Sequence, residues 1–312
     1  MLDSGQSGER GNYAALAETH VMDYATELAT AHEAAIAAGE RITADAARDL
    51  RAEPTTTRKE NVNDLVTAAD EESQAVITET ITAAFPADTV VGEEGDRSTD
   101  RNSEREWVVD PIDGTSNFAM GFPYYCVSIA FREAGETRVG VVFSPGSALD
   151  RCWYAVREEG AFLSRDPDPD PAVWDADDCE GLPGDPITVS DHDRLDGALV
   201  CARLSERNAV RRESDLGIVS DLLDRDIKYR RVASAALNVC HVASGAADGY
   251  IVPSINDWDI AAAALILREA GGRARVRPSR EADNLGVVVS NGTIQGALET
   301  VVDDNLGSTT HR

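Results

Sequence analysis

Trp107-Val108-Val109-Asp110-Pro111-Ile112-Asp113-Gly114-Thr115-Ser116-Asn117-Phe118 is the stretch that decides how this chain folds. Its aromatic and β-branched opening predicts a buried strand. Pro111 bars a regular helix directly after it, so Asp110, the Ile112 carbonyl and Asp113 can turn toward one point. Gly114, Thr115 and Ser116 then predict a helix start, whose free N–H groups can receive the oxygens of an anion.

Three more acidic sites occupy places where a rigid element delivers a side chain. Gly92-Glu93-Glu94-Gly95 follows a predicted strand ending at Val91, Asp259 opens the apolar run Ile260-Ala261-Ala262, and Asp70 opens a predicted helix from Asp70 to Phe85 that Pro86 stops. Singly, each has an ordinary reading: Asp-x-x-Asp is common in turns, Asp at a helix start is a cap, and Glu-Glu is a solvated face. Together they offer hard oxygen donors of the kind that Mg²⁺ takes from a few carboxylates, with waters and substrate phosphate completing its shell. Two such ions about 3.5–4 Å apart could polarise a phosphate, activate a water and stabilise a leaving oxygen.

Outward from this core, the pattern divides the chain. Residues 1–11 read as a disordered tail, Tyr13 to Ala38 as a long amphipathic helix, and residues 12–186 as an α+β half with strands at Thr89–Val91, Trp107–Val109, Tyr125–Phe131, Arg138–Phe143 and Cys152–Val156. Arg165 to Pro186, with its repeated Asp-Pro steps, reads as a solvated acidic loop. Residues 187–306 alternate strands (near 198–201, 227–232, 250–252, 273–276 and 286–289) with helices (208–224, 234–244, 257–270 and 293–303). This is the pattern of an α/β half with covered strands, followed by a short tail at 307–312.

Composition narrows the function classes. The 312 residues carry 29 basic against 56 acidic side chains, a net charge of −27, with 42% hydrophobic residues. Phosphate backbones and anionic lipid surfaces bind basic proteins, so nucleic-acid and membrane partners are disfavoured. No run reaches the 18 or so apolar residues of a membrane-spanning helix, and the polar start Met1-Leu2-Asp3-Ser4 lacks the features of a signal peptide, so the cytoplasm is the expected location. The five cysteines, Cys126, Cys152, Cys179, Cys201 and Cys240, form no Cys-x-x-Cys, which argues against a zinc site or a disulfide framework. Cys126 and Arg132 have the spacing of a cysteine-phosphatase loop, but Val-Ser-Ile-Ala-Phe between them alternates like a strand rather than wrapping a phosphate.

The motifs resemble those of the inositol monophosphatase family, the Mg²⁺-dependent, lithium-sensitive sugar phosphatases. The resemblance is carried by Gly92-Glu93-Glu94, Asp110-Pro-Ile-Asp113-Gly-Thr115-Ser-Asn117-Phe, Gly121-Phe-Pro123, Trp258-Asp259-Ile-Ala and Glu269-Ala-Gly271-Gly272, with Lys59, Asp64, Thr67 and Asp70 at family-like spacing. It implies a layered αβαβα sandwich, commonly a homodimer, acting on a small phosphorylated sugar or polyol with two or three Mg²⁺ per site. By the same resemblance Glu93, Asp110 and the Ile112 carbonyl would hold one ion. Asp110, Asp113 and Asp259 would hold a second, with Glu93 also serving a weaker third. Thr115 and Asp70 would orient and deprotonate the attacking water, Gly114, Thr115 and Ser116 would meet the phosphate, and Ala233 and Ser234 would lie beside the sugar. Two departures fall on the substrate side. Ala233 stands where a glycine is usual, and Val252 stands where inositol-specific members carry an acid seven residues before the Asp259 position.

Both departures weaken the case for inositol specificity; inositol 1-phosphate is still the leading substrate, fructose 1,6-bisphosphate a close second, and a 3′-phosphoadenosine 5′-phosphate activity or a non-catalytic phosphate-binding role less favoured. Lysine occurs only at Lys59 and Lys228, and an acidic surface stripped of lysine suits high internal salt, where repulsion is screened within about 3 Å at 1 M. Thermal unfolding at low and at molar KCl checks this reading: the midpoint is expected to rise with salt, and an unchanged midpoint would contradict it.

Overall fold

The computed structural model describes residues 22–49, 58–94, 103–146, 148–165, 167, 183–203, 209–279 and 285–307. The expected tails, most of the acidic loop, Cys179, and the side chains of Lys59, Asp64 and Thr67 lie outside the described ones. Two helices, α1 (Ala25–Asp49) and α2 (Arg58–Ala84), come first. A sheet follows whose strands run in chain order: β1 (Thr89–Gly92), β2 (Arg105–Asp113), β3 (Cys126–Glu133), β4 (Glu136–Ser144), β5 (Arg151–Val156), β6 (Gly160–Ser164) and β7 (Asp185–Pro186). Only β1 and β2 pair in parallel, and the short helix α3 (Thr115–Met120) leaves the end of β2.

The second sheet has the order β11-β12-β10-β8-β9, built from β8 (Leu199–Ala202), β9 (Lys228–Arg230), β10 (Gly249–Ile255), β11 (Arg273–Pro278) and β12 (Leu285–Ser290). Strands β9, β8 and β10 are parallel, while β12 and β11 run antiparallel. The helices of this half are α4 (Ala209–Asp224), α5 (Ala235–Ala243), α6 (Ala261–Glu269) and α7 (Gln295–Gly307).

Alternation along the strands sorts the apolar residues into three cores, because successive side chains face opposite sides of a sheet. Trp107 and Val109 of β2, Ile129 and Phe131 of β3, and Tyr154 of β5 face Leu28, Ala35, Ile77 and Ile81 of α1 and α2. Their neighbours Val108, Ala130, Trp153 and Ala155 face the other way, onto Leu237 of α5, Ile266 of α6, and Tyr250 and Val252 of β10. Val200, Ile251 and Val288 point outward from the second sheet to Ile218 and Leu222 of α4 and Leu298 and Val301 of α7. The result is the αβαβα layering implied by the resemblance. Gly140 lets α6 lie close on β4, since a Cβ there would meet the Ala262 carbonyl at 2.6 Å. At the other face Asp88 accepts from Arg105 Nε (2.9 Å) and Trp107 Nε1 (3.0 Å), while Arg105 also pairs with Glu27 of α1.

Several expectations need correction. Among the described residues the first helix begins at Ala25, after Tyr24 with φ of 67°, and runs past Ala38 to Asp49, while the part of the expected helix before Met22 lies outside them. Helix α2 starts at Arg58, so Asp70 lies in its middle rather than opening it. Val62, Leu65, Val66 and Ala69 already keep helical i, i+3, i+4, i+7 spacing before Asp70, so the helix extends back past the acid that resembles a cap. Residues 257–260 form a turn, and α6 starts at Ala261. Asp185 and Pro186, expected to be solvated loop, add a short strand to β6.

Candidate active site

Asp110 and Asp113 are three apart, an odd spacing that would put them on opposite faces of a regular strand. The β2–β3 register shows how they come to share one. Asp110 pairs with Ser128 and Asp113 with Cys126, so three steps on β2 match two on β3. This is a β-bulge at Pro111-Ile112, which turns both carboxylates toward α5 and α6. Two local bonds hold it: the Ile112 N–H donates to Asp110 Oδ1 (3.0 Å) and Ser73 Oγ of α2 donates to the Pro111 carbonyl (3.3 Å).

The other carboxylates arrive through pairing and turns. Parallel pairing of β1 with β2 sets Gly92 opposite Val109, so the next residues, Glu93 and Asp110, stand side by side. Gln74 of α2 clamps this segment, accepting from the Glu94 N–H (2.9 Å) and donating to the Glu94 carbonyl. Asp259 lies in the turn before α6 and accepts from the Asn256 N–H (3.0 Å). Glu93, Asp110 and Asp259 each present a carboxylate oxygen within 4.8 Å of the others. Asp70, one helical turn before Ser73, is buried nearby, and its Oδ1 has no hydrogen-bond partner.

Asp113 stands apart from that trio, in a different environment. It accepts from Ser234 Oγ (2.7 Å), the Ala235 N–H (3.1 Å) and the Ala236 N–H (2.7 Å), at the N-terminus of α5. Ser234 also caps α5, accepting from the Leu237 N–H. Gly114, with φ of 102°, packs where a Cβ would meet the carbonyls of Ala233 (2.9 Å) and Tyr124 (3.0 Å), so only glycine fits. Asn117 Nδ2 donates to the same two carbonyls, at 2.7 Å each, and ties α3 to the segment before α5. Thr115 is half-buried, its Oγ1 donating to the Ile112 carbonyl (2.9 Å), and Ser116 is exposed. Val252 is core and offers the site no polar group.

The protonation states follow from this packing. Burial, then the charges of Asp113, Asp259 and Glu93, drive the Asp110 carboxyl well above the ordinary range. Burial and Asp113 push Asp259 up to about 6, and burial with Glu93 and Glu94 pushes Asp70 up to about 8. Burial raises Asp113 too, but the Ser234 hydroxyl and the two α5 amides work against it. Carboxylates crowded with so little local positive charge are suited to a divalent cation, and the all-oxygen donor set fits Mg²⁺.

Cys126 is fully buried on β3, its thiol pushed far up by burial and Asp113, and Arg132 forks onto Asp257 (2.5 and 2.8 Å). A cysteine-phosphatase loop is therefore ruled out. Arg203, at the end of β8, escaped the sequence reading. Its charge lowers the carboxyl pKa of both Asp113 and Asp259, yet only the parallel pairing of β8 with β10 brings it there.

Residues 23–303 match the family model described as the inositol monophosphatase family. The chain is 35% identical over 216 residues to the Nus factor SuhB of Pasteurella multocida, covering 69% of this chain and 73% of that protein. Against the Nus factor SuhB of Escherichia coli K12 it is 33% identical over 210 residues, covering 67% and 71%. Among solved structures, the inositol monophosphatase of Anabaena (Nostoc) aligns with a TM-score of 0.70 at 29% identity, covering 89% of this chain and 96% of that one. SuhB of Mycobacterium tuberculosis gives 0.71 at 27% identity, covering 91% and 98%.

The raised carboxyls make a prediction about stability. A group whose folded pKa exceeds its unfolded value stabilises the fold at low pH, and that contribution is lost as pH rises through the folded value. Metal-free protein is therefore expected to lose stability between about pH 4 and pH 8. In Asp70→Asn that slope should flatten, and Mg²⁺ should raise the wild-type midpoint more at pH 8 than at pH 6. Denaturant melts in EDTA and in Mg²⁺ check this, and equal slopes for the two proteins would contradict the assignment of Asp70.

Proposed function

The chain belongs to the inositol monophosphatase family of phosphatases, and from that membership we propose a Mg²⁺-dependent phosphomonoesterase that hydrolyses inositol 1-phosphate by direct attack of water. The observation that carries this reading is the convergence of Glu93, Asp110 and Asp259 beside a buried, unpartnered Asp70 oxygen. Glu93, Asp110 and the Ile112 carbonyl would hold one ion, Asp110, Asp113 and Asp259 a second, and Glu93 would serve a third. Such ions supply charge for the phosphoryl and leaving oxygens and make a bound water acidic.

The chain's own groups do the rest. Thr115 Oγ1 donates to the Ile112 carbonyl, which leaves its lone pairs free to accept from a water and fix it in line with the leaving group. Asp70, close enough to Glu93 to be raised by its charge, accepts the proton that the water loses. Gly114 gives the phosphate a close approach to the backbone, and the first N–H groups of α3, at Thr115 and Ser116, have no intrahelical partner and face the anion. Ala233 and Ser234 border the polyol side.

Fructose 1,6-bisphosphate is the second substrate, favoured by the buried aliphatic Val252, which offers no acid to an inositol hydroxyl. The exposed Met120 and Phe122, just after this site, are the surface through which we take the chain to form a homodimer. Among the described residues no helix is long and apolar enough to cross a membrane. The net charge of −27 disfavours nucleic-acid partners.

Phosphate release from both substrates, with and without Mg²⁺, tests the activity. Thr115→Val keeps the shape and removes the hydroxyl, so turnover is expected to fall by about 10²–10⁴ while Mg²⁺ affinity stays near wild type. If Thr115 only stabilised the helix start, the change would cost about 1 kcal/mol of stability and leave turnover intact, contradicting its catalytic role.

A further inference from the structure

Arg203 and Arg230 are cationic groups at the carboxyl ends of two neighbouring parallel strands. In the β8–β9 register Cys201 pairs with Arg230, and Arg203 follows two residues beyond Cys201. Its backbone N–H donates to the Ile251 carbonyl of β10 (3.0 Å), so the chain is still held against the sheet at this point. Side chains two apart on a strand share a face, and so do paired residues. Cys201 faces the core shared with α5 and α6, and Arg203 and Arg230 therefore fall on the side that carries Asp113, Ser234 and Asp259.

Three observations bear on what they do. Both arginines are exposed, and neither makes an ion pair among the described residues, in a chain with 56 acidic side chains to choose from. The charge of Arg203 is felt by Asp113, Asp259 and the buried Tyr250 alike, which places it over the polyol side of the pocket rather than on a remote surface. Ligands of open sheets bind in the crevice beyond the carboxyl ends of parallel strands, and β8, β9 and β10 end here. Asp113 and Asp259 lie on that same side, so Arg203 borders the assigned ion ligands, while Arg230, on β9, stands one strand further out.

We infer that Arg203 and Arg230 form a second anion subsite that takes the non-reacting phosphate of a sugar bisphosphate. This deepens the phosphatase reading and rests on it. A guanidinium fork recognises phosphate through two parallel N–H donors, and an unpaired one loses no internal ion pair when it does so. A monophosphorylated polyol would leave the subsite empty and gain nothing from it.

The test compares wild type, Arg203→Gln, Arg203→Lys and Arg230→Gln as full chains, on fructose 1,6-bisphosphate and inositol 1-phosphate. Steady-state hydrolysis is measured with Mg²⁺. Binding is measured by calorimetry with Ca²⁺ in place of Mg²⁺, after confirming that no phosphate is released during the titration. Arg230→Gln is expected to raise KM and Kd for the bisphosphate about tenfold or more, with kcat within about threefold and inositol 1-phosphate within about twofold. Arg203→Gln should raise the bisphosphate Kd in the same direction, and Arg203→Lys should recover part of that loss. Equal losses on both substrates, or none on the bisphosphate, would overturn the subsite. If wild type bound the bisphosphate in an Arg203-dependent way but released no phosphate from either compound, the subsite would stand and the phosphatase reading would fall. Binding of neither compound would overturn the subsite itself.

Discussion

Carboxylates repel one another, and burial makes each harder to ionise. This protein buries Asp70, Asp110, Asp113 and Asp259 within reach of Glu93 and Glu94. Much of the architecture around them serves to hold that unfavourable arrangement in place. The bulge in β2 brings Asp110 and Asp113 to one face, the parallel β1–β2 register sets Glu93 beside Asp110, and α2 fixes both segments through Ser73 and Gln74. Each device is backbone geometry backed by a buried hydrogen bond, so the cluster is preorganised rather than gathered by a ligand.

The site divides by how its charges are compensated. Asp113 has an internal answer: a hydroxyl and two amides at the positive end of α5 satisfy its oxygens. Asp110 and Asp259 each accept a single backbone N–H, from Ile112 and Asn256, and with Glu93 beside them they form the receptive side for a cation. Asn117 joins the two sides by donating to the Tyr124 and Ala233 carbonyls, so α3 and the approach to α5 keep a fixed spacing. The fold thus sets a cation-seeking wall against an amide-rich wall, with Arg203 and Arg230 at the rim of the latter.

Much of this was legible in the residues. The apolar strand before Asp110, Pro111 after it, and Gly114 at the turn are local signals, and they located the β2 strand, its irregular end and the helix that follows. The sorting of the apolar residues into three cores was harder to read, because it needs the partner strands as well as the alternation. The start of α2 is harder to place because Asp70 resembles a helix cap, although Val62, Leu65, Val66 and Ala69 before it hold helical spacing. Arg203 was missed for a different reason: nothing in Ala202-Arg203-Leu204 marks a site, and only long-range parallel pairing carries the residue to Asp113 and Asp259. The bulge lies between these cases. Asp-Pro announces an irregularity, but its consequence, that an odd spacing places two acids on one face, appears only in the register with β3.

With its carboxyls raised by burial and mutual repulsion, the cluster carries excess protons until a divalent cation replaces them. Calorimetric titration of the metal-free protein with Mg²⁺ near pH 7, repeated in buffers of different ionisation enthalpy, measures the protons released on binding. The account predicts saturable binding with a net release of about one proton or more per chain, abolished or strongly reduced in Asp110→Asn. Binding that releases no protons, or that survives unchanged in Asp110→Asn, would contradict it.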